Sequence, residues 1–251
     1  VLRIKIKQGE QMKITLHNVR ANVNATVKIA LIADLHNNNY EKILQVFADE
    51  KPNIIAISGD LINGIVSKSQ NGFSFLQECP KFAPTFYSLG NHELKFKKED
   101  IDLIKQTKSI LLNDEYVRFN DDIFICGLSS GFLHSHQYVN YQTPKPDLSV
   151  IDKFSALSGY KILLCHHPEY YAPYIKQKNI DLILSGHAHG GQIRIFGQGL
   201  FAPGQGFLPK YTSGMYDNRL VVSRGLSNNV KWVPRLFNET EVVIINLCKK
   251  I

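Results

Sequence analysis

Residues 29–36 of this 251-residue chain read IALIADLH, five apolar residues followed at once by an aspartate and, two positions later, by a histidine. A short run of Ile, Leu and Ala without apolar–polar alternation is typical of a β-strand buried on both faces. Similar apolar runs follow downstream, separated by stretches with helical periodicity at 40–50, 97–107, 148–157 and 169–178. These runs are residues 54–58, 85–89, 123–126, 162–165 and 182–185. Strands that alternate with helices predict an α/β domain.

The rest of the chain is expected to join this core, so that residues 1–251 form a single domain. The first 25 residues alternate apolar and polar positions around Gly9, which favours a β-hairpin packed on the core at 28–192. Residues 193–251 are rich in Gly and Pro at first and then contain two apolar runs, 220–223 and 241–247. We expect a loop-rich segment that ends in antiparallel strands.

Composition sets limits on function. The chain is 44% hydrophobic and 20% charged, as in ordinary globular proteins, and no apolar run approaches the length of a membrane-spanning helix. The net charge of +7 favours acidic partners such as small phosphorylated substrates, anionic membrane or cell-wall surfaces, or nucleic acid. Nucleic acid is the less favoured partner, because no arginine-rich stripe is interleaved with aromatic residues. We expect a monomer.

Neither the first residue nor the cysteines determine the cellular compartment of the protein. The chain starts at Val1 rather than at Met, so we expect that a segment preceding it has been removed. Four scattered cysteines without a CxxC pair predict free thiols rather than a disulfide framework, with Cys165 packed inside a strand. Both a cytoplasmic and a membrane- or envelope-associated location remain open.

Polar clusters follow five of the six apolar runs directly. In open α/β sheets the carboxyl ends of the strands meet at one crevice, so these clusters can converge. Together they supply carboxylate and amide oxygens and imidazole nitrogens, which suit Mn, Fe, Zn, Co or Ni ions. A single Asp in such a place is usually a turn or cap residue, but capping does not explain the whole ordered set. The clusters are Asp34/His36, Gly59-Asp60, Gly90-Asn91-His92-Glu93, His166-His167 and Gly186-His187-Ala188-His189.

This ordered set resembles the signature of the calcineurin-like metallophosphoesterase superfamily, D-x-H, G-D, G-N-H-[DE], H and G-H-x-H. The segments 186–192, 222–225 and 234–236 are also similar to a branch of bacterial phosphodiesterases, the YkuE and YaeI type. The resemblance implies a four-layer αββα sandwich of two mixed β-sheets flanked by helices. It also implies a metal-dependent phosphoesterase with two divalent transition metal ions.

The resemblance assigns a role to each matching residue. One ion would bind Asp34, His36 and His189, the other would bind Asn91, His166 and His187, and Asp60 would bridge the two. A bridging water would attack phosphorus in line. Asp60 and Asn91 would take part in catalysis through the metals, and His92 would act as general acid or stabilise the transition state. Glu93 would orient this loop.

One departure and several alternatives stay open. Many relatives carry Asp where this chain has Asn63, which puts the tuning of the metal ligands in doubt rather than metal binding. His167 could replace His166 as the ligand, and His134 with His136 could form a second metal site, although a solvated loop is favoured there. Phosphate contacts and structural roles are equally plausible for the arginines at positions 194, 224 and 235.

The substrate is not fixed by these residues. The leading hypothesis is hydrolysis of a phosphodiester or phosphomonoester, with a cell-envelope or lipid-linked compound as one candidate. The main alternative is a nucleotide or nucleic-acid phosphodiesterase. A scaffold that has lost catalysis is less favoured, because every ligand position is filled. A β-lactamase-type metallohydrolase is not supported, because His189 is followed by two glycines instead of Asp-His.

Overall fold

The computed structural model describes residues 2–3, 12–63, 70–130, 143–228 and 234–250. These residues form four α-helices, and the short 3₁₀ and π segments between them carry several of the polar clusters. The helices are α1 Glu41–Glu50, α2 Gln70–Glu78, α3 Lys98–Gln106 and α4 Ser149–Ser155. The strands are β1 Leu2–Arg3, β2 Met12–Ala21, β3 Val27–Ile32, β4 Ile54–Ser58, β5 Thr85–Ser88, β6 Ile110–Leu112, β7 Glu115–Arg118, β8 Ile123–Leu128, β9 Tyr160–Cys165, β10 Leu182–Ser185, β11 Arg194–Ile195, β12 Gln198–Gly199, β13 Phe201–Ala202, β14 Gly206–Phe207, β15 Gly214–Tyr216, β16 Leu220–Val222 and β17 Thr240–Lys249.

Two large mixed sheets organise the fold. The first sheet has the order β1-β2-β17-β3-β4-β5-β6, and β3, β4, β5 and β6 run parallel. The second has the order β15-β16-β10-β9-β8-β7, with β16, β10, β9 and β8 parallel. Parallel neighbours present their carboxyl ends at the same edge, which explains why the polar clusters can meet there.

Three apolar layers hold the sheets and helices together. Alternate residues of one strand belong to different layers, so Leu31 packs between the two sheets while Ile32 packs toward the helices. In the second sheet Leu164 faces the first sheet, and Leu163 packs with Phe154 of α4 on the outside. Helices, sheet, sheet and helix therefore form four layers, and the predicted αββα sandwich is confirmed.

The N-terminal pair of strands is built into the first sheet. β1 pairs antiparallel with β2, as the alternating pattern predicts. β2 then pairs in parallel with β17 along its whole length, from Met12 opposite Thr240 to Ala21 opposite Lys249. The beginning and the end of the described chain thus share one sheet.

Two local predictions differ from the structure. Residues 169–178 do not form a regular α-helix: a 3₁₀ turn at Pro168–Tyr170 leads into a π segment at Tyr171–Ile175. The late strands are not simply antiparallel, because β16 runs parallel to β10 and β17 runs parallel to β2. The irregular helix at 169–178 is explained by Pro168 and Pro173, because proline lacks the backbone N–H that a continuous α-helix needs. Within the described residues, no helix is both long and apolar enough to span a membrane.

Candidate metal centre

Two buried carboxylates lie at the ends of neighbouring strands. Asp34 follows β3 and Asp60 follows β4, and both side chains are fully enclosed. The backbone N–H of His187 donates to Asp34 Oδ2 at 3.0 Å, and that of His92 donates to Asp60 Oδ1 at 2.9 Å. Each carboxylate is therefore held by a hydrogen bond from another of the polar clusters.

Histidines surround these carboxylates in two groups. In each group one ligand atom per residue lies within 4.8 Å of the others, which is close enough to surround one cation. The first group contains Asp34, His36 and His189, and the second contains Asp60, His166 and His187. Six of the predicted ligands thus fall into two such groups. Two further groups of this kind, His36 with Asp60 and His92, and His167 with Glu169 and His187, share members with them.

His36 offers a nitrogen that suits a cation. Its Nδ1 lies 2.7 Å from Oδ1 of Asn63, so Nδ1 carries the proton and Nε2 keeps its lone pair. Nε2 is buried without a hydrogen-bond partner, 3.9 Å from Asp34 Oδ1 and 3.7 Å from Asp60 Oδ2. An enclosed lone pair that faces two carboxylates fits a bound metal ion. Asn63, the departure from the family pattern, therefore orients the His36 imidazole.

His166 lies between the two sheets. Its Nδ1 is 2.8 Å from the carbonyl oxygen of Ser58, and its Nε2 is 3.2 Å from Asp60 Oδ2. Its neighbour His167 turns elsewhere, with Nε2 2.7 Å from Oγ of Ser130. The geometry thus places His166, rather than His167, against the carboxylate.

Asn91 sits in the loop that touches Asp60 on both sides. Gly90, before it, lies so close that a Cβ atom there would be 2.3 Å from Asp60 Oδ1, so any side chain would displace the carboxylate. His92, after it, donates its N–H to the same oxygen. Asn91 therefore lies between two residues that contact Asp60, and its role as a metal ligand stays a prediction.

The pKa values of the histidines beside Asp34 and Asp60 suit the binding of a cation. Burial lowers the pKa of His36 and of His189 to about 4, so both imidazoles are neutral near pH 7. Burial opposes the charged form of His166 too, but the Asp60 carboxylate raises the pKa of His166 to about 10. A metal ion at this nitrogen would take the place of that proton.

The backbone at these residues adopts an uncommon conformation. Positive φ angles of 44° to 66° occur at residues that contribute to both groups. This left-handed region is sparsely populated by residues other than Gly, although Asp and His enter it more readily than most. Such strain concentrates at functional sites, where the surrounding structure imposes it. The residues are Asp34, His36, Asp60, His187 and His189.

His92 and Glu93 have different environments. The His92 side chain is about 36% exposed, with Nε2 3.8 Å from Asp60 Oδ2 and its ring 4.6 Å from that of His36. Glu93 is buried and accepts hydrogen bonds from the backbone N–H groups of Gly90 and Asp60, at 2.7 and 2.9 Å. The partly exposed His92 side chain can contact a substrate that enters from solution. The buried Glu93 side chain connects the loops that contain Asp60 and Gly90.

Two residues near the histidines, Glu169 and Asn238, carry no local sequence signal. Glu169 Oε1 lies 3.2 Å from His167 Nδ1 and 3.7 Å from His187 Nε2. Burial would raise the pKa of this carboxyl, but the two histidines hold it at about 2. Asn238 donates to the carbonyl oxygen of His189 at 2.8 Å. Both support the G-H-x-H segment from distant parts of the chain.

The side chains of Arg194 and Arg235 form hydrogen bonds with other groups of the protein. Arg194 donates to the carbonyl oxygen of Gly190 at 2.6 Å. Arg235 donates to the carbonyl oxygens of Arg224 and Ser227, both at 2.9 Å. The guanidinium of Arg224 is oriented toward Glu241, with Nε 3.9 Å from Oε1. Structural roles therefore account for Arg194 and Arg235.

Two further predictions concern the cysteines and the second pair of histidines. All four cysteines are free, and burial raises the pKa of the Cys165 thiol, which stays protonated. His134 and His136 lie outside the described residues.

Comparison with known proteins identifies the family. The sequence model of the calcineurin-like phosphoesterases matches residues 27–191. An uncharacterized metallophosphoesterase of Campylobacter jejuni is 33% identical over 241 residues, which cover 90% of this chain and 60% of that protein. One of Aquifex aeolicus is 26% identical over 246 residues, 94% of this chain and 90% of that one.

A relative with a stated activity is also similar. The phosphodiesterase YaeI of Escherichia coli is 26% identical over 183 residues, 68% of this chain and 63% of YaeI. This chain therefore spans about three-fifths of the length of the Campylobacter and Escherichia proteins. The match over residues 27–191 includes every polar cluster described above, and the chain belongs to the calcineurin-like phosphoesterase family, a family of metal-dependent phosphoesterases.

Proposed function

We propose that this chain hydrolyses a phosphodiester or phosphomonoester with the help of two divalent metal ions. Asp34, His36 and His189, which lie close together, would hold one ion. His166 and His187, which lie close to Asp60, would hold the other together with Asn91, as the family resemblance implies. Asp60 would contact both. The nitrogen and oxygen donors favour a transition metal such as Mn, Fe, Zn, Co or Ni over Ca or Mg, which prefer oxygen donors alone.

The position of Asp60 is the observation that carries this proposal. Its Oδ2 lies 3.7 Å from Nε2 of His36 on one side and 3.2 Å from Nε2 of His166 on the other. These two histidines belong to different groups, so the Asp60 carboxylate lies between the two groups of candidate ligands. Two-metal hydrolases place their ions about 3.5–4 Å apart, a spacing that a carboxylate can bridge.

The protein's own groups would position the substrate and move a proton. When bound, the ions would supply Lewis-acid charge to the phosphoryl oxygens and make water in the cavity more acidic. His92, at the exposed rim of the site, would donate a proton or a hydrogen bond to the leaving oxygen. Glu93 would keep the Asp60 and Gly90 loops together, so that His92 stays within reach.

A metal-dependence assay tests the proposal. Protein treated with a chelator should not hydrolyse bis(p-nitrophenyl) phosphate or p-nitrophenyl phosphate, and added Mn²⁺ should restore turnover. Asp60→Asn should abolish restoration. His92→Ala should lower kcat by roughly 10²–10⁴-fold, because that is the usual contribution of a general acid. Full turnover by either variant would show that the site is assigned wrongly.

Metal content separates catalysis from a scaffold role. The enzyme should retain two ions per chain, and His92→Ala should retain as many as the original protein. A chain without metal and without turnover would point to a scaffold. A parallel screen of monoesters, diesters and pyrophosphates at fixed Mn²⁺ would then define the substrate class and test the nucleotide alternative.

A further inference from the structure

Large apolar side chains are exposed at the tips of loops beside the metal centre. Phe196 is fully exposed, Phe237 and Phe207 are 86% and 85% exposed, and Leu208 is 69% exposed. We call these four residues the apolar tips. Other exposed apolar residues of the described chain, such as Leu16 and Ile110, are about half as exposed. Side chains of this size and exposure carry a cost in solubility unless something covers them.

The backbone beneath three of the tips is strained. Phe196, Leu208 and Phe237 have positive φ angles of 48°, 49° and 54°. Phe196 and Gly197 form the two-residue turn between β11 and β12, a position where Asn-Gly is strongly preferred. A bulky residue is unfavourable there. Turn formation therefore does not explain Phe196, and the exposed ring itself is the feature that needs an explanation.

Three of the tips line two clefts of the C-terminal segment. Phe196 and Phe237 line the same cleft, and Phe207 lines a neighbouring apolar cleft of about 340 Å³ that also contains His189. Ile193 belongs to this second cleft and pairs with Leu236, next to Phe237. Through His189, the second cleft adjoins the metal centre, and the pairing of Ile193 with Leu236 brings the chain next to Phe237 to that cleft.

The segment that carries the apolar tips is rich in basic residues. Between residues 189 and 238 the sequence contains six Lys and Arg residues but only one acidic residue, Asp217. Asp217 is paired with Lys176 at 2.9 Å. Arg194 and Arg224 line the same cleft as Phe196 and Phe237. Basic residues therefore outnumber acidic ones in the segment that carries the apolar tips, and the whole chain has a net charge of +7, which favours an anionic surface.

We propose that the apolar tips dock on an anionic lipid bilayer. Aromatic residues favour the membrane interface, and basic residues near them are attracted to acidic headgroups. Separate protruding tips suit insertion between lipids, whereas a protein partner needs a closely packed complementary face. Docking in this way would turn the edge of the metal centre that contains His189 toward the headgroups. The proposal depends on the surface alone and is independent of the proposed hydrolysis.

Sedimentation with vesicles tests the docking. The chain is mixed with vesicles of phosphatidylcholine alone, or of equal parts phosphatidylcholine and phosphatidylglycerol. We expect binding to the anionic vesicles that weakens as salt increases. The combined variant Phe196→Asn, Leu208→Asn, Phe237→Asn should bind at least about tenfold more weakly, because three apolar side chains are lost from the surface that enters the interface.

The choice of Asn keeps the test independent of folding. Asn tolerates positive φ, so the combined variant should match or exceed the original midpoint of thermal unfolding. The matched control, Leu16→Asn with Ile110→Asn, removes exposed apolar residues elsewhere and should leave vesicle binding unchanged. The docking proposal is wrong if the original chain fails to bind anionic vesicles, or if the control loses as much binding as the combined variant. It is equally wrong if light scattering shows a dimer that the Asn substitutions dissociate, since a second copy would then cover the tips.

Discussion

Oδ1 of Asn63 lies 2.7 Å from Nδ1 of His36 and fixes which nitrogen of that imidazole faces the metal centre. We expect Asn63→Leu to weaken metal binding by about 10–100-fold, the usual effect of losing a residue that orients a ligand. Asn63→Asp should tighten binding, because a carboxylate makes the imidazole more basic. Competition with a chromogenic chelator for Zn²⁺ measures both changes. Asn179→Leu, at a remote exposed asparagine, is the control, and an equal loss of affinity there would refute the role of Asn63.

The Glu93 carboxylate joins two loops of the centre, and its removal should destabilise the fold. It accepts backbone hydrogen bonds from Asp60, Ile62 and Gly90 at 2.9, 3.0 and 2.7 Å. Glu93→Gln places an amide N–H₂ against these donors. We expect a loss of about 2–4 kcal/mol in the free energy of unfolding, because buried donors then lack an acceptor.

Urea unfolding of metal-free protein measures this loss. Glu78→Gln provides the comparison, since it breaks an exposed pair with Lys81 and should cost less than about 1 kcal/mol. Equal losses in the two variants would contradict the structural role of Glu93.

The local part of the site could be predicted from the sequence. Runs such as those at 54–58 and 182–185 are apolar on both faces, so they identify buried strands with little ambiguity. The polar residue that ends each run is then placed at the sheet edge by the direction of the strand. Strand identity and strand direction are therefore enough to predict that Asp34 and Asp60 lie close together, whereas His187 joins them from the second sheet through the packing of the two sheets.

The supporting residues could not be predicted in this way. Asn238 binds the carbonyl oxygen of His189 across 49 positions of sequence, and Glu169 reaches His187 from a segment that reads as an ordinary helix. Such contacts depend on how the C-terminal segment crosses the sheet edge, which no local pattern specifies. The direction of β16 was mispredicted for the same reason, since pairing with β10 is decided by tertiary packing.

Metal binding should stabilise the protein strongly. Asp34 and Asp60 are buried together, and burial raises the pKa of Asp34 as the surroundings disfavour its charge. A cation that binds only the native state adds about 2.7 kcal/mol at 100 times its Kd. Mn²⁺ should therefore raise the thermal midpoint by roughly 5–10 °C, and a chelator should reverse the change. In calorimetry, Asp60→Asn should show less than half of this increase. An undiminished increase would place the stabilising ions elsewhere.

The two adjacent histidines at 166 and 167 provide the most direct test of the ligand assignment. Nε2 of His166 lies 3.2 Å from Asp60 Oδ2, whereas Nε2 of His167 lies 2.7 Å from Oγ of Ser130 and its Nδ1 faces Glu169. His166→Ala should therefore lower the metal content from two ions per chain to one, as measured by mass spectrometry of the metals. His167→Ala should keep both ions and reduce affinity only through the contact that Glu169 makes with His187, by about tenfold. If His167→Ala lost more metal than His166→Ala, His167 would be the ligand. The loop after β9 would then have to place His167 where His166 lies in the structure.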